Sequence, residues 1–217
     1  MNNKTTFYLA RHGQTEWNVE HRIQGQLDSF LTSEGEQQAS QLAAQCSELN
    51  ITQVLTSSLG RAVQTANICA EQLNITVKPV PGFEERHFGI WQGKLVSEVN
   101  GDLNYNEITS QITDCKPEQG ESAKELLARF TKALTNQLQT ANNETFLIVS
   151  HGDILRSFMA QFSQPLLSEV SLSEASLSKA SLSKGSSKKA LSTGYDYKNA
   201  QLIAMTYDQE TGTFAKL

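Results

Sequence analysis

Two histidines in this 217-residue chain stand in the same local setting. The apolar run Thr6–Ala10 leads into Arg11-His12-Gly13, and the run Thr145–Ser150 leads into His151-Gly152-Asp153. A histidine at a strand end, beside arginine and glycine, can be a nucleophile, a general base or a metal ligand. Arginine presents a planar fork of donors that fits phosphate oxygens two at a time. Glycine lets backbone approach a ligand closely. For one such histidine alone, a buried imidazole bonded to a carbonyl is the simpler reading.

Two further blocks weigh against that reading. Ser57–Ala66 (SSLGRAVQTA) places Arg61 in the first turn of a helix. A cation is disfavoured there because the helix dipole already makes that end positive, and a bound anion would resolve the conflict. A first-turn arginine can also simply reach into solvent. Phe83–Gly93 (FEERHFGIWQG) supplies the carboxylates Glu84 and Glu85 among glycines and aromatics. Two histidines, two arginines and a carboxylate are the parts for phosphoryl transfer through a histidine. The arginines neutralise the non-bridging oxygens, one imidazole attacks phosphorus, and the carboxylic acid protonates the leaving alcohol.

The elements that must hold these groups can be read from periodicity. Thr6–Ala10, Gln53–Thr56, Ile75–Val80, Thr145–Ser150, Gln201–Tyr207 and Thr213–Leu217 read as strands, the last two joined by a turn at Gly212. A capping-box spacing at Ser33–Glu36 opens a helix with Ala39, Leu42, Ala43, Cys46 and Leu49 on its apolar face. A second helix begins near Ser58 and turns Ala62, Ala66, Cys69 and Leu73 inward. Ser122 and Glu125 form another capping box, ahead of a helix burying Leu126, Leu127, Phe130, Leu134 and Leu138. A last helix runs through Leu155, Phe158, Met159 and Phe162. Strands alternating with helices imply a layered α/β domain with a mostly parallel sheet, in which ligands collect beyond the carboxyl ends of the strands. Both histidine blocks fall there.

Composition narrows the function. Hydrophobic residues make up 38% and charged residues 19%, which suits a single domain over residues 1–217 with a real core. A net charge of −5 leaves no chain-wide basic field, so neither nucleic acid nor a membrane surface is expected as partner. A small phosphorylated metabolite can still bind where a few basic residues gather. Three cysteines (46, 69 and 115) without a C-x-x-C pair argue for a reducing compartment, and the absence of a leader or spanning stretch for a cytoplasmic protein. From Val170 the chain repeats five-residue Ser/Leu/Lys units (VSLSE, ASLSK, ASLSK, GSSKK), so residues 166–192 are expected to be a solvated insert. A lid or docking role for it is the alternative.

RHGQTEWN, RIQGQLDSFLTSEG, SSLGRAVQTA, EERHFGIWQG, QGES and VSHGDILR, in that order from Phe7 to Phe158, resemble the histidine phosphatase superfamily, phosphoglycerate-mutase-like branch. The likeness resumes weakly at Tyr197–Ala200. It implies a three-layer α/β/α fold, with His12 as the phosphorylated nucleophile and Arg11 and Arg61 as phosphate clamps. His151 would be the second phosphate-binding histidine, with the Gly152 N–H beside it, and Asn18 a further donor. Glu85 matches the family's acid, with Glu84 as its rival. Gln14, Thr15 and Gln24 are implied as pocket residues. His21 is expected to be structural or exposed, and His87 either structural or an orienter of Glu85. Phe30 stands where many relatives carry proline, which leaves the loop shape there open.

The same groups can serve hydrolysis or a mutase. Between Lys94 and Glu121 the chain carries Lys94 and Lys116 against Glu98, Asp102, Glu107, Asp114, Glu118 and Glu121. Such an acidic lid is expected to repel a doubly anionic substrate. The sequence stops at Leu217, soon after its last strand, so no tail is expected to seal the site from water. Both points favour a metal-independent phosphomonoester hydrolase over a phosphoglycerate mutase. A catalytically inactive phospho-ligand binder or scaffold is the third reading. No C-x5-R loop, D-x-D nucleophile, nucleotide-binding P-loop or H-E-x-x-H pair occurs, so no metal or cofactor is expected.

Overall fold

The computed structural model describes residues 4–162 and 198–217. The repeat insert 166–192 and Tyr197 lie outside them. The first half forms β1 (Lys4–Arg11), α1 (Glu16–Val19), α2 (Ser33–Cys46), β2 (Gln53–Thr56), α3 (Gly60–Leu73) and β3 (Thr76–Pro79). Short helices α4 (Val96–Val99) and α5 (Tyr105–Ser110) precede α6 (Ala123–Leu138), β4 (Thr145–Ser150) and α7 (Gly152–Met159). Strands β5 (Leu202–Asp208) and β6 (Thr213–Lys216) follow.

The strands form one sheet in the order β3-β2-β4-β1-β5-β6. The first four run parallel, while β5 and β6 are antiparallel. Buried side chains alternate across it, as the two-residue period of a strand requires. Phe7, Leu9, Phe146 and Ile148 pack against α6 and α7, while Ala10, Leu147 and Val149 pack against α2 and α3. The result is three layers with helices on both faces, the mixed α/β architecture expected from the order of elements.

Several boundaries shift for identifiable reasons. Thr32, not Ser33, caps α2, its hydroxyl accepting from Gly35 N, and Ser33 is the first helical residue. Leu49 lies past the end of that helix and is half-buried, as are Leu73 and Leu127. Ser122 and Glu125 do form the reciprocal cap of α6. Pro79 ends the edge strand β3, where a missing N–H costs no ladder bond.

The register of β1 on β4 matters most for function. Arg11 sits opposite Ser150 across the parallel pair, so the next residues, His12 and His151, leave the sheet side by side. On the other flank of β4, Thr56 of β2 sits opposite Val149, and the chain then turns into α3. Three adjacent strand ends therefore deliver His12, His151 and Arg61 to one place. Gly13 and Gly35 permit the close packing of this edge on α2, because a Cβ on either would collide with backbone of the other segment.

A separate small cluster covers the strand ends. Trp91, Val99 and Ile108 bury one another, with Ile23, Phe88, Tyr105 and Cys115 around them. Among the described residues, no helix is long and apolar enough to cross a membrane.

Candidate active site

Beyond the carboxyl ends of β1 and β4 lies a cavity of about 500 Å³, a size suited to a small metabolite. Arg11, His12, Arg61, Glu85 and Gly152 line its floor.

His12 is almost fully buried, and its neighbours fix its tautomer. Nδ1 lies 2.7 Å from the Gly13 carbonyl, which can only accept, so Nδ1 carries the proton. Nε2 accepts from Arg61 Nε at 3.2 Å and therefore carries the lone pair. Burial, then the charges of Arg61 and Arg11, hold the His12 pKa well below its usual value. The imidazole is thus neutral, with its lone-pair nitrogen aimed at an arginine fork.

His151 is buried completely, its ring centroid 5.2 Å from that of His12. Neither ring nitrogen has a hydrogen-bond partner among the described residues. An unsatisfied buried polar group costs about 1–3 kcal/mol, so such a group calls for an explanation. Burial and Arg61 hold this imidazole neutral as well.

Glu85 is the carboxylate that reaches the cavity. Its Oε1 accepts from Arg86 N at 2.9 Å and Ile154 N at 3.3 Å, and its Oε2 from Asp153 N at 3.1 Å. It is therefore seated on the first turn of α7. Burial outweighs these donors and the nearby arginines and raises its pKa. Glu84 instead accepts from Ser58 and Gly82 and pairs with Arg129, away from the cavity. Of the two carboxylates, Glu85 is the one that lines the cavity. His87 accepts from Gly89 N and meets Gln92, so it does not orient Glu85.

Arg61 resolves its unfavourable start of α3 differently from the expectation of a bound anion. Asp28 accepts from the N–H groups of Gly60 and Arg61 and pairs with the Arg61 guanidinium at 3.0 Å. Leu27 and Gly25 carbonyls, each at 2.7 Å, complete the fixing of the fork. The helix dipole is met by a carboxylate from the chain itself. Asp28→Ala should lower stability by about 1–2 kcal/mol, the range of a lost helix cap, and reduce kcat/KM about tenfold by loosening Arg61. Thermal unfolding and p-nitrophenyl phosphate turnover test this; both unchanged would show that Asp28 holds nothing.

The other residues implied by the resemblance divide. Asn18, Gln14 and Gln24 line the cavity. Asn18 accepts from Thr15 N through Oδ1, Gln14 from the Thr32 hydroxyl, and Gln24 donates to Thr15 Oγ1. Thr15 is a correction: it is fully buried, caps α1 and does not line the cavity. His21 is exposed at the cavity rim. Phe30 is 70% exposed, while its carbonyl accepts from Glu16 N.

The acidic lid is a second correction. None of Glu98, Asp102, Glu107, Asp114, Glu118 or Glu121 lines the cavity. Glu98 caps α4, Asp102 accepts from Trp91 Nε1, and Asp114 and Glu121 pair with Lys124 and Arg129. That segment lends the wall Val96, Tyr105 and Thr109 instead, and two further arginines, Arg22 and Arg156, line the same space. The carboxylates of that segment therefore do not form a wall of this cavity.

Sequence reasoning passed over Asp28, Asp153, Arg156 and Asn199, all held by long-range contacts except the Asp153–Arg156 pair, which has helical spacing. Asn199, whose Nδ2 donates to the His12 carbonyl at 2.7 Å, did stand in a quoted motif. Among the described residues, no group of three or more His, Cys, Asp or Glu is arranged to hold a metal ion.

This arrangement of fold and site has clear relatives. The chain belongs to the histidine phosphatase superfamily (branch 1), whose family model matches residues 7–192. It is 41% identical over 147 residues to "Probable phosphoglycerate mutase GpmB" of Serratia proteamaculans and 38% identical to the protein of that name from Escherichia fergusonii; each match covers 67% of this chain and 68% of the relative. Among solved structures it is similar to Bacillus stearothermophilus YhfR, with a TM-score of 0.76 and 28% identity over 98% of this chain and 95% of that one. A mycobacterial glucosyl-3-phosphoglycerate phosphatase shares the fold, with a TM-score of 0.73, 22% identity and coverage of 92% of each chain.

Proposed function

We propose that this protein is a metal-independent phosphomonoester hydrolase that carries the phosphoryl group on His12 and acts on a small phosphorylated metabolite. The observation that carries this reading is the buried His151, without a partner among the described residues, beside the neutral His12 and the Arg61 fork. A phosphoryl oxygen placed there gives His151 its missing partner and meets the charges of Arg11 and Arg61.

In the first step the Nε2 lone pair of His12 attacks phosphorus and the bond to the leaving oxygen breaks. The proton on Glu85 passes to that oxygen, releasing an alcohol. The phosphorylated imidazole is cationic, and its Nδ1–H stays bonded to the Gly13 carbonyl. In the second step water attacks phosphorus, Glu85 takes a proton from it, and the N–P bond breaks to yield orthophosphate. His12 and protonated Glu85 are restored. Glu85 suits both roles because burial raises its pKa, so that it is a stronger base than an exposed carboxylate and more readily kept protonated. Asn18, Gln14, Gln24 and the Gly152 N–H complete the binding surface in this reading. A reducing, cytoplasmic setting belongs to the same proposal.

One observation favours a mutase as second reading. The cavity holds Arg22 and Arg156 beyond the phosphate clamp, which suits a substrate with two acidic ends. A panel of phosphometabolites, scored for both orthophosphate release and phosphoglycerate isomerisation with and without chelator, tests the two readings. Hydrolysis that survives chelator is expected. Isomerisation without release would establish the mutase, loss under chelator would point to a metal, and no turnover of any phosphomonoester would leave a binding protein.

A further inference from the structure

The loop that carries His12 is fixed by groups that take no part in the phosphoryl chemistry. Gly13 follows His12, and its carbonyl keeps the proton on His12 Nδ1. Residue 13 can carry no side chain to restrain that carbonyl, because a Cβ there would collide with the Gly35 backbone. Glycine has more backbone freedom than any other residue, so the direction of its carbonyl must be set from outside. Side chains from three remote segments do so. The peptide unit joining His12 to Gly13 is held at both ends. Its N–H donates to Thr65 Oγ1 at 3.0 Å, and its carbonyl accepts from Asn199 Nδ2 at 2.7 Å. In the next unit, Gln14 N donates to Gln38 Oε1 at 2.9 Å. Both peptide planes that flank Gly13 are thereby pinned, and with them the direction of its carbonyl.

Thr65 does more than hold one end. Its hydroxyl also donates to the Arg61 carbonyl at 2.8 Å, one turn back along α3. A threonine bonded to the carbonyl four residues back is a common habit in helices. Accepting from an N–H 52 residues away is not. Arg61 in turn donates through Nε to His12 Nε2. The bonds close a circuit from Arg61 to His12, His12 to Gly13, Gly13 to Thr65, and Thr65 back to Arg61. The Thr65 hydroxyl is thus the link that locks the imidazole and the guanidinium to one another. Thr65 is fully buried and does not line the cavity, so it cannot touch a substrate.

We propose that Thr65, assisted by Asn199, is a positioning residue for the nucleophile, holding His12 through the adjoining peptide in the tautomer whose Nε2 lone pair can attack phosphorus. This rests on the assignment of His12 as nucleophile. Without the hydroxyl, the buried Gly13 N–H loses its acceptor, which a buried donor does not tolerate cheaply. A turn of the peptide to find another carries the Gly13 carbonyl off Nδ1. The proton is then free to move to Nε2, and an imidazole protonated there has no lone pair to offer.

Two measurements on Thr65→Val, which keeps the shape of the side chain, test this. With saturating p-nitrophenyl phosphate, first-turnover release of p-nitrophenolate should slow about 10- to 100-fold, the scale of a reacting group displaced by about an ångström. In the chain without substrate, proton–nitrogen correlation spectra should show His12, identified by its loss in His12→Ala, protonated on Nδ1. In Thr65→Val its two ring-nitrogen shifts should converge as the proton is shared. Thr65→Ser, which restores the hydroxyl, should recover most of the rate and the native tautomer. Asn199→Ala should move both readouts in the same direction, and it carries the test if Thr65→Val does not fold. A native tautomer in both variants, or a rate loss that Thr65→Ser does not repair, would overturn the proposal, since a merely structural hydroxyl leaves the proton where it was. A raised KM with an unchanged first turnover in Asn199→Ala would make that residue a substrate contact and remove it from the clamp. A native chain that releases no p-nitrophenolate would overturn the His12 assignment, whatever the tautomers show.

Discussion

Replacing His12 by alanine should lower kcat toward p-nitrophenyl phosphate by more than about 10⁴-fold, the scale seen when a covalent nucleophile is removed. The fold should survive. The backbone N–H of residue 12 still donates to the Ser150 carbonyl, and Arg61 keeps Asp28 and the carbonyls of Leu27 and Gly25. Thermal unfolding within a few degrees of the native chain would confirm that only the chemistry was touched. Rapid quenching of the native enzyme should trap an acid-labile phosphoenzyme that the variant cannot form. Native-like turnover in His12→Ala would remove the covalent mechanism altogether.

Glu85→Gln should act selectively. An alkyl phosphate needs its leaving oxygen protonated, and loss of a positioned acid costs about 10²–10⁴-fold. A p-nitrophenolate ion leaves unaided, so its release in the first turnover should slow by less than about tenfold, while hydrolysis of the phosphoenzyme, which also uses Glu85, slows for both substrates. The pH profile gives a second measure. Burial lowers the His12 pKa, so the nucleophile stays unprotonated until the pH falls well below the usual histidine range. Burial raises the Glu85 pKa, so the acid form persists above the usual carboxylate range and is lost as pH rises through that raised value. Native activity on alkyl phosphates should therefore fall at both ends, and the alkaline fall should vanish in Glu85→Gln. Equal slowing of the first-turnover release of both alcohols would assign the proton to another group.

The layered fold was legible because its signals are local. Strands Gln53–Thr56 and Thr145–Ser150 fall where apolar runs end in polar or glycine breaks, and Ser122 with Glu125 caps α6 as the spacing requires. The site was legible where ordered blocks follow strand ends, so His12, His151 and Arg61 meet in one place. What stayed hidden depends on distance along the chain. Asp28 reaches Arg61 across 33 residues, and Arg86 reaches Asp153 across 67, with no periodicity to announce either pair. Thr15 shows the opposite failure. A short polar residue beside a catalytic motif resembles a ligand, yet here its hydroxyl starts a helix, the commoner task of threonine in that position. The acidic stretch between Lys94 and Glu121 misled because a count of charges is silent on which way they face. Those whose contacts are seen cap a helix, hold an indole or pair with a lysine or arginine.

The cluster of Trp91, Val99 and Ile108 shares no buried member with either face of the sheet. Backbone bonds of Ile23, Gly93 and Val96 join its own segments, and Arg86 links Ile108 to Asp153 of α7. Changes in packing far from one another act almost independently. Residues of this cluster that line the cavity, such as Ile23 and Tyr105, should therefore tolerate exchange with little effect on the strand ends that carry the histidines. On the proposed reading, exchanges in this wall would retune which phosphate ester is accepted while the groups that break the bond stand still.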